Sequence, residues 1–239
     1  MKWELHDDYD ALSERASNIF LSAIRDEPRI VLGLPTGRTP IGMYERVVAQ
    51  CGREYHCFRD VTTFNLDEYV GTPKDHPGSY AWFMQQHLFA HVDIDPRNVH
   101  IPDGTAPDLD RECAHYEEEI AAAGGLGLTF LGLGSNGHIA FNEPGTPFTA
   151  RTRVVKLAES TRLANADLFA DGVVPTHAVT MGIGTILESR RIILIASGAR
   201  KRAGIAALRS GTVTESFPAS ALWNHPDVTV LLDRDASSA

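Results

Sequence analysis

Short apolar runs alternate along the chain with longer segments in which apolar side chains return every three or four positions. The runs Ile30–Leu34, Val61–Leu66, Asn98–Ile101, Leu128–Leu133, Ile192–Ala196 and Val228–Leu232 predict strands, because brief continuous apolar stretches bounded by turn residues suit strands buried on both faces. Between them the spacing predicts helices over Tyr9–Arg25, after Pro40, and over Ser79–His91, Asp108–Ala123, Gly184–Glu188 and Arg200–Arg209. In the Asp108 helix, Cys113, Tyr116 and Ile120 fall on the core side, and Glu117, Glu118 and Glu119 on a solvated face. A more polar stretch, Arg151–Leu157 with Thr161–Phe169, interrupts the alternation, carries Arg151, Arg153, Lys156 and Arg162, and predicts a mobile lid over about 145–170. Strand and helix otherwise succeed one another without linker or repeat. The pattern predicts one α/β domain over 1–239, with a single doubly wound, mostly parallel sheet and helices on both faces.

Such sheets bind ligands beyond the carboxyl ends of their strands, so the residues that follow each apolar run come next. After Leu34 comes Pro35-Thr-Gly-Arg-Thr-Pro40, in which Thr39 suits a helix cap and Pro40 a first helical position. The free N–H groups of that helix start, with Thr36, Gly37, Arg38 and Thr39, would favour an anion such as phosphate, although many ordinary strand-to-helix loops contain Gly and Thr. Gly198-Ala-Arg-Lys201 again places basic residues, Lys201 among them, at a strand-to-helix junction. Val61–Leu66 runs into Asp67-Glu68, candidates for a general base; only one of two neighbours points inward, and adjacent carboxylates on a surface turn are also common. Leu128–Leu133 runs into Gly134, Asn136, Gly137, His138 and Glu143. Glycines there permit a sharp turn, and His138 with Glu143 could form an imidazole–carboxylate pair, or the stretch could be a glycine turn with one satisfied His and a surface Glu.

A hydrophobic fraction of 43% in 239 residues is enough for one substantial core. The balance of 22 basic against 31 acidic residues, net charge −9, argues against non-specific contact with nucleic acid or an anionic membrane, so an anionic small-molecule substrate needs a local positive cluster. Cys51, Cys57 and Cys113 form no CxxC pair, which suggests neither a disulfide framework nor a zinc site and points to the reducing cytoplasm. No apolar run approaches the ~18 residues of a membrane helix, and the first residues lack a signal-peptide pattern. Trp3, Trp82 and Trp223 are read as packing residues.

Four segments, Leu32-Gly-Leu-Pro-Thr-Gly37 with Thr39-Pro40, Phe64-Asn-Leu-Asp-Glu-Tyr-Val-Gly71, Asn136-Gly-His-Ile-Ala-Phe-Asn-Glu-Pro144 and Phe217-Pro-Ala-Ser-Ala-Leu222, resemble the glucosamine-6-phosphate deaminase family in order and spacing over nearly the whole chain. The resemblance implies a Rossmann-like three-layer sandwich and conversion of glucosamine 6-phosphate and water to fructose 6-phosphate and ammonia, with no metal and no organic cofactor. It implies that Asp67 moves a proton from carbon 2 to carbon 1, and that His138, positioned by Glu143 and Asn136, opens the sugar ring. Thr36, Gly37, Arg38, Thr39 and Lys201 would take the phosphate.

Four positions depart from that pattern. Some family members carry Asp where this chain has Asn136, and an amide can orient but not titrate. Where Asp167 stands the family carries an arginine for the phosphate, and where Arg38 stands it commonly has a small residue; Arg38 is therefore expected to take over the lost role, with Asp167 turned to solvent or paired to it. Val155 replaces a lysine of the effector site found in some longer members, which also use a C-terminal extension, whereas this chain ends at Ala239 soon after its last strand; no hexosamine-phosphate allostery is expected. Related 6-phosphogluconolactonases share the fold but lack the Phe-Asn-Glu-Pro continuation. A 6-phosphogluconolactonase or a galactosamine-6-phosphate deaminase remains an alternative. So does an effector-binding domain, though the residues before the first strand are too few and too acidic for a DNA-binding segment. The expected assembly is a monomer or small homo-oligomer.

Overall fold

The computed structural model describes residues 1–51, 57–169 and 172–237. Residues 52–56, 170, 171, 238 and 239 of the domain expected over 1–239 lie outside the described residues, residue 170 being also the last of the expected lid. Seven strands form one sheet in which every neighbouring pair is parallel. They are β1 (Lys2–His6), β2 (Val31–Leu34), β3 (Thr62–Asn65), β5 (Val99–His100), β6 (Leu128–Gly132), β9 (Arg191–Ala196) and β10 (Val228–Asp233), and their spatial order is β1-β10-β9-β6-β2-β3-β5. Helices α1 (Tyr9–Asp26), α2 (Ile41–Cys51), α3 (Tyr80–His87), α4 (Leu109–Ala122), α6 (Ile183–Leu187) and α7 (Arg202–Arg209) connect them.

Alternate residues of one strand serve opposite cores, which is why these runs are continuously apolar. Phe130, Ile193 and Leu231 pack with Leu12 and Phe20 of α1 and Tyr44 of α2. Their neighbours Leu131, Leu194 and Val230 pack with Tyr116 of α4, Ile186 of α6 and Ile205 of α7. The three-layer arrangement read from the sequence is the one observed.

The chain steps from β2 outward through β3 to β5, then returns to lay β6 against the other side of β2. Connections leaving β2 and β6 therefore diverge, and a crevice opens between the carboxyl ends at Leu34 and Gly132.

Several features differ from the sequence reading. β1 was not anticipated; it is an edge strand whose polar and apolar residues alternate, and among the described residues it pairs with β10 alone. A second, antiparallel sheet joins β4 (Asp67–Tyr69), β7 (Arg153–Lys156) and β8 (His177–Thr180) in the order β4-β8-β7. The segment expected as a lid therefore contains β7, hydrogen-bonded along β8, followed by α5 (Glu159–Ala164) and a 3-10 turn at Ala166–Leu168. Helix α2 begins at Ile41, one residue later than a Thr39 cap requires: the Pro40 carbonyl accepts from Tyr44 N at 3.0 Å. Tyr9 does the capping instead, its hydroxyl accepting the Gly42 N–H at 2.8 Å and donating to the Thr39 carbonyl at 3.0 Å. Nor is Glu117 solvated. Half-buried, it accepts from Thr152 N at 2.8 Å, Thr185 Oγ1 at 2.6 Å, Thr152 Oγ1 and Arg151, and so ties α4 to β7 and α6.

Candidate active site

Beyond β6 the backbone folds on itself, Gly134 N–H donating to the His138 carbonyl at 2.9 Å and Gly137 N–H to the Gly134 carbonyl at 3.0 Å. Gly137 has φ +88°, and a Cβ there would also lie 2.2 Å from the Phe217 ring. Gly134 is needed for a different reason: a Cβ would stand 2.3 Å from His138 Cδ2, so the imidazole lies directly on the glycine. Ala140 at φ 49° and the bridge between Ile139 and Asn142 then reverse the chain, and Glu143 returns beside His138.

Glu143 Oε2 accepts from Asn136 Nδ2 at 2.5 Å and lies 3.5 Å from His138 Nδ1. Its other oxygen, Oε1, accepts from Thr161 Oγ1 of α5 at 2.6 Å. Burial pushes the Glu143 carboxyl up, but the bonds from His138, Thr161 and Asn136, with the charge of His138, outweigh it and bring the group down to about 2. A fixed carboxylate therefore faces Nδ1. At 3.5 Å the contact is long for a hydrogen bond, yet this buried nitrogen has no closer partner among the described residues, which leaves Nε2 as the ring position for proton exchange. Asn136 Oδ1 also accepts the His138 backbone N–H at 3.2 Å, so the amide orients both members of the pair.

Strand alternation sends Asp67 and Glu68 to opposite sides of β4. Glu68 turns toward the start of α3, where Oε1 accepts from Tyr69 N at 2.8 Å and Tyr80 N at 2.9 Å, and Oε2 from Ala81 N at 2.8 Å. It neutralises a helix N-terminus that would otherwise be buried with unpaired donors. Burial raises its carboxyl to about 7 against the pull of those three bonds. Asp67 points to the opposite side, is only 6% exposed, and no hydrogen-bond donor holds its carboxylate among the described residues. Burial, and then the charge of Glu68, push Asp67 well above the ordinary carboxylate range. A buried carboxyl without donors suits a group that must take up and release a proton.

The loop after β2 carries Thr36, Gly37 at φ +95°, Arg38 and Thr39, with the Pro35 carbonyl held by the Tyr44 hydroxyl at 2.7 Å. Thr36 contacts the buried Tyr80 hydroxyl, which lies 3.2 Å from that of Tyr69. Lys201 reaches the same crevice from the start of α7, its Nζ donating to the Leu133 carbonyl at 2.6 Å; burial, and then Arg200, lower its pKa. Arg38 forms an ion pair with Asp167, the alternative in which Asp167 stays partnered rather than free in solvent.

Two contributors were not found from the sequence. Thr161 is an ordinary helical threonine in pattern, and only its 2.6 Å bond to Glu143 sets it apart. Asp233 at the end of β10 accepts from Ser197 Oγ at 2.5 Å and Gly198 N at 3.1 Å, pinning the turn that leads to Lys201. A cavity of about 490 Å³ opens beside the pair, lined by Glu143, Lys156, Leu157, Ala158, Glu159 and Arg162. Another, of about 380 Å³ and including Phe89, His100 and Glu119, lies at the β5 edge and contains none of the candidate residues. Among the described residues no cluster of three or more His, Cys, Asp or Glu is arranged to hold a metal ion, and no helix is long and apolar enough to cross a membrane.

Comparison with known proteins bears on what this arrangement does. Residues 6–231 match the family described as glucosamine-6-phosphate isomerases/6-phosphogluconolactonase. The chain is 51% identical over 232 residues to the glucosamine-6-phosphate deaminase of Lysinibacillus sphaericus (strain C3-41), covering 97% of this chain and 98% of that protein. It is 47% identical over 231 residues to glucosamine-6-phosphate deaminase 1 of Bacillus subtilis (strain 168), covering 96% of each. Among solved structures, a monomeric glucosamine-6-phosphate deaminase superposes with a TM-score of 0.97 at 46% identity, over 99% of this chain and 98% of that one. A 6-phosphogluconolactonase from Trypanosoma brucei superposes with a TM-score of 0.80 over 98% and 97% of the two chains, but at 21% identity that likeness concerns the fold alone.

Proposed function

The chain belongs to the glucosamine-6-phosphate isomerase/6-phosphogluconolactonase family, and from that premise we infer that it converts glucosamine 6-phosphate and water to fructose 6-phosphate and ammonia. The observation that carries the assignment of roles is the division of labour between adjacent carboxylates: Glu68 is consumed by the α3 N-terminus, and Asp67 is buried beside the crevice without a donor among the described residues.

His138, with Nδ1 facing Glu143, exchanges a proton through Nε2 between the anomeric hydroxyl and the ring oxygen, and the pyranose opens to the aldehyde. Asp67 then removes the proton on carbon 2. The electron pair forms a double bond between carbons 1 and 2 as the aldehyde oxygen gains a proton, and an enolamine results. The nitrogen lone pair next drives protonation of carbon 1 by Asp67, giving an iminium at carbon 2. Water adds there, ammonia leaves, and the ketone remains. The phosphate lies on the loop Thr36, Gly37, Arg38 and Thr39 with Lys201, which supply N–H groups and positive charge to a chain that is negative overall. The described part of the expected lid, residues 145–169, acts as the lid over this site, and substrate binding closes it. The protein works as a monomer, as its 46%-identical structural relative is described, and in the cytoplasm, where phosphorylated sugars are retained.

Ammonia release from glucosamine 6-phosphate, measured beside galactosamine 6-phosphate and 6-phosphogluconolactone, tests the reading. The expected result is ammonia from the gluco epimer in preference to the galacto epimer, with no lactone hydrolysis. Hydrolysis of the lactone without ammonia release would assign the other branch of the family, and no turnover of any of the three would leave a binding domain.

A further inference from the structure

Thr161 has no step in the reaction set out above, yet its hydroxyl donates to Glu143 Oε1 at 2.6 Å and the residue is only 5% exposed. Glu143 thus has a donor on each oxygen, and the two donors come from different places. Asn136 belongs to the same glycine turn as His138 and is held by it. Thr161 rides on α5, in the segment that six residues later presents Asp167 to Arg38 of the loop after β2. One short stretch of chain therefore touches the carboxylate of the His138 pair at one end and the anion loop at the other.

The terminal torsion of a glutamate is broad, so a single donor on Oε2 would leave the carboxylate plane free to swing. A second donor on Oε1 fixes that plane and keeps Oε2 opposite His138 Nδ1, where the separation is already at the long end of hydrogen bonding. We propose that Thr161 is a positioning residue for ring opening, holding the Glu143 carboxylate toward His138 so that the pair is complete only when α5 is seated on the site. The proposal rests on the deaminase reading. It is consistent with the Glu143 carboxyl, which burial pushes up and which Thr161 is one of three residues to pull down to about 2 by hydrogen bonding.

Thr161→Val keeps the shape and removes the donor, whereas Thr161→Ser keeps the donor. With glucosamine 6-phosphate, Thr161→Val should lower kcat by about ten-fold or more, as expected for loss of a hydrogen bond to a charged group, and Thr161→Ser should stay within about three-fold. The 4,5-dideoxy analogue lacks both hydroxyls that could close a pyranose or a furanose and bypasses the step, so both variants should turn it over within about two-fold of the unsubstituted protein. Equal losses on the two substrates, an unchanged kcat in Thr161→Val, or a serine variant as poor as the valine one would overturn the proposal. Failure of the deaminase reading is distinguishable, because then the unsubstituted protein releases no ammonia from either compound. The positioning role can still be read without substrate from the Glu143 carboxyl carbon signal by NMR. Its protonation should move up by about one pH unit in Thr161→Val and stay in place in Thr161→Ser, and an unmoved midpoint in the valine variant would overturn the role regardless of activity.

Discussion

Arg38 and Asp167, 129 residues apart in sequence, form an ion pair that joins the loop after β2 to the segment following α5. Both side chains are largely exposed, at 69% and 62%, so the pair itself contributes only about 0–1 kcal/mol. A charge-assisted bond from the same guanidinium to a phosphate dianion is worth about 1.5–3 kcal/mol, and the phosphate should win. Arg38→Ala is therefore expected to raise KM for glucosamine 6-phosphate by about ten- to a hundred-fold with a smaller effect on kcat, while Asp167→Asn shifts KM by less than about five-fold. Steady-state kinetics on the two variants checks this. An unchanged KM in Arg38→Ala would leave Lys201 and the loop backbone as the anion site.

Asp67→Asn should lower kcat by about 10²–10⁴-fold while binding of a competitive inhibitor survives, since an amide keeps the shape and cannot accept the carbon-bound proton. A companion change separates Asp67 from its neighbour. Asp67 acts ionised, and its pKa is raised by burial and then by Glu68. The rate should rise with pH through a midpoint above the ordinary carboxylate range, and Glu68→Gln, by removing a like charge, should move that acid limb to lower pH. The same substitution takes an acceptor from the Tyr80 or Ala81 N–H at the start of α3 and should cost about 1–3 kcal/mol of stability, read by thermal or denaturant unfolding. An acid limb that stays in place in the folded Glu68→Gln protein would argue against Asp67 as the titrating base.

How much of this was legible in the sequence depends on where the information lies. Phe130 and Leu131 announce a strand because each is buried on its own face, and the glycines after Gly132 announce a turn, so β6 and its loop could be read directly. The second sheet could not: β4 is the three residues Asp67–Tyr69, and its pairing comes from Ala178 to Thr180, more than a hundred residues away. Asp67 was legible as a candidate, but its separation from Glu68 depended on where α3 begins, a tertiary fact. Glu117 was misread because three consecutive glutamates resemble a solvated face, and its partners Thr152 and Thr185 lie on other elements. Thr39 was misplaced as a cap because the sequence holds no sign that Tyr9 delivers its hydroxyl to α2.

Gly134 offers a test of how finely His138 is placed. A methyl group there would sit 2.3–2.5 Å from His138 Cδ2, Nε2 and Cε1, well inside contact distance, so the ring must move by about an ångström. Displacement on that scale costs roughly 10²-fold in rate. Gly134→Ala should lose about that much kcat on glucosamine 6-phosphate while the 4,5-dideoxy analogue, which can close neither to a pyranose nor to a furanose and needs no ring opening, is turned over nearly as before. A similar loss on both compounds would show that the alanine distorts the crevice and not the imidazole alone.

The last prediction concerns regulation. An anionic effector needs cations that are free to receive it, and Arg151, two residues before β7, is already engaged: it donates from Nη2 to Glu117 Oε2 and from Nη1 to Glu188 Oε1, both at 2.6 Å. Glu117 is in turn held by Thr152 and Thr185, so releasing Arg151 would leave a half-buried carboxylate without its counter-charge, at a cost comparable to what a phosphate would gain there. Four residues on, Val155 packs against the Tyr69 and Phe141 cluster and offers no charge at all. Rate against glucosamine 6-phosphate should therefore be hyperbolic, and N-acetylglucosamine 6-phosphate should act only as a competitor. A sigmoidal curve made hyperbolic by that compound would mean that the Arg151 clamp opens. In that case Glu188→Gln, which removes one of its two carboxylates, should strengthen the response.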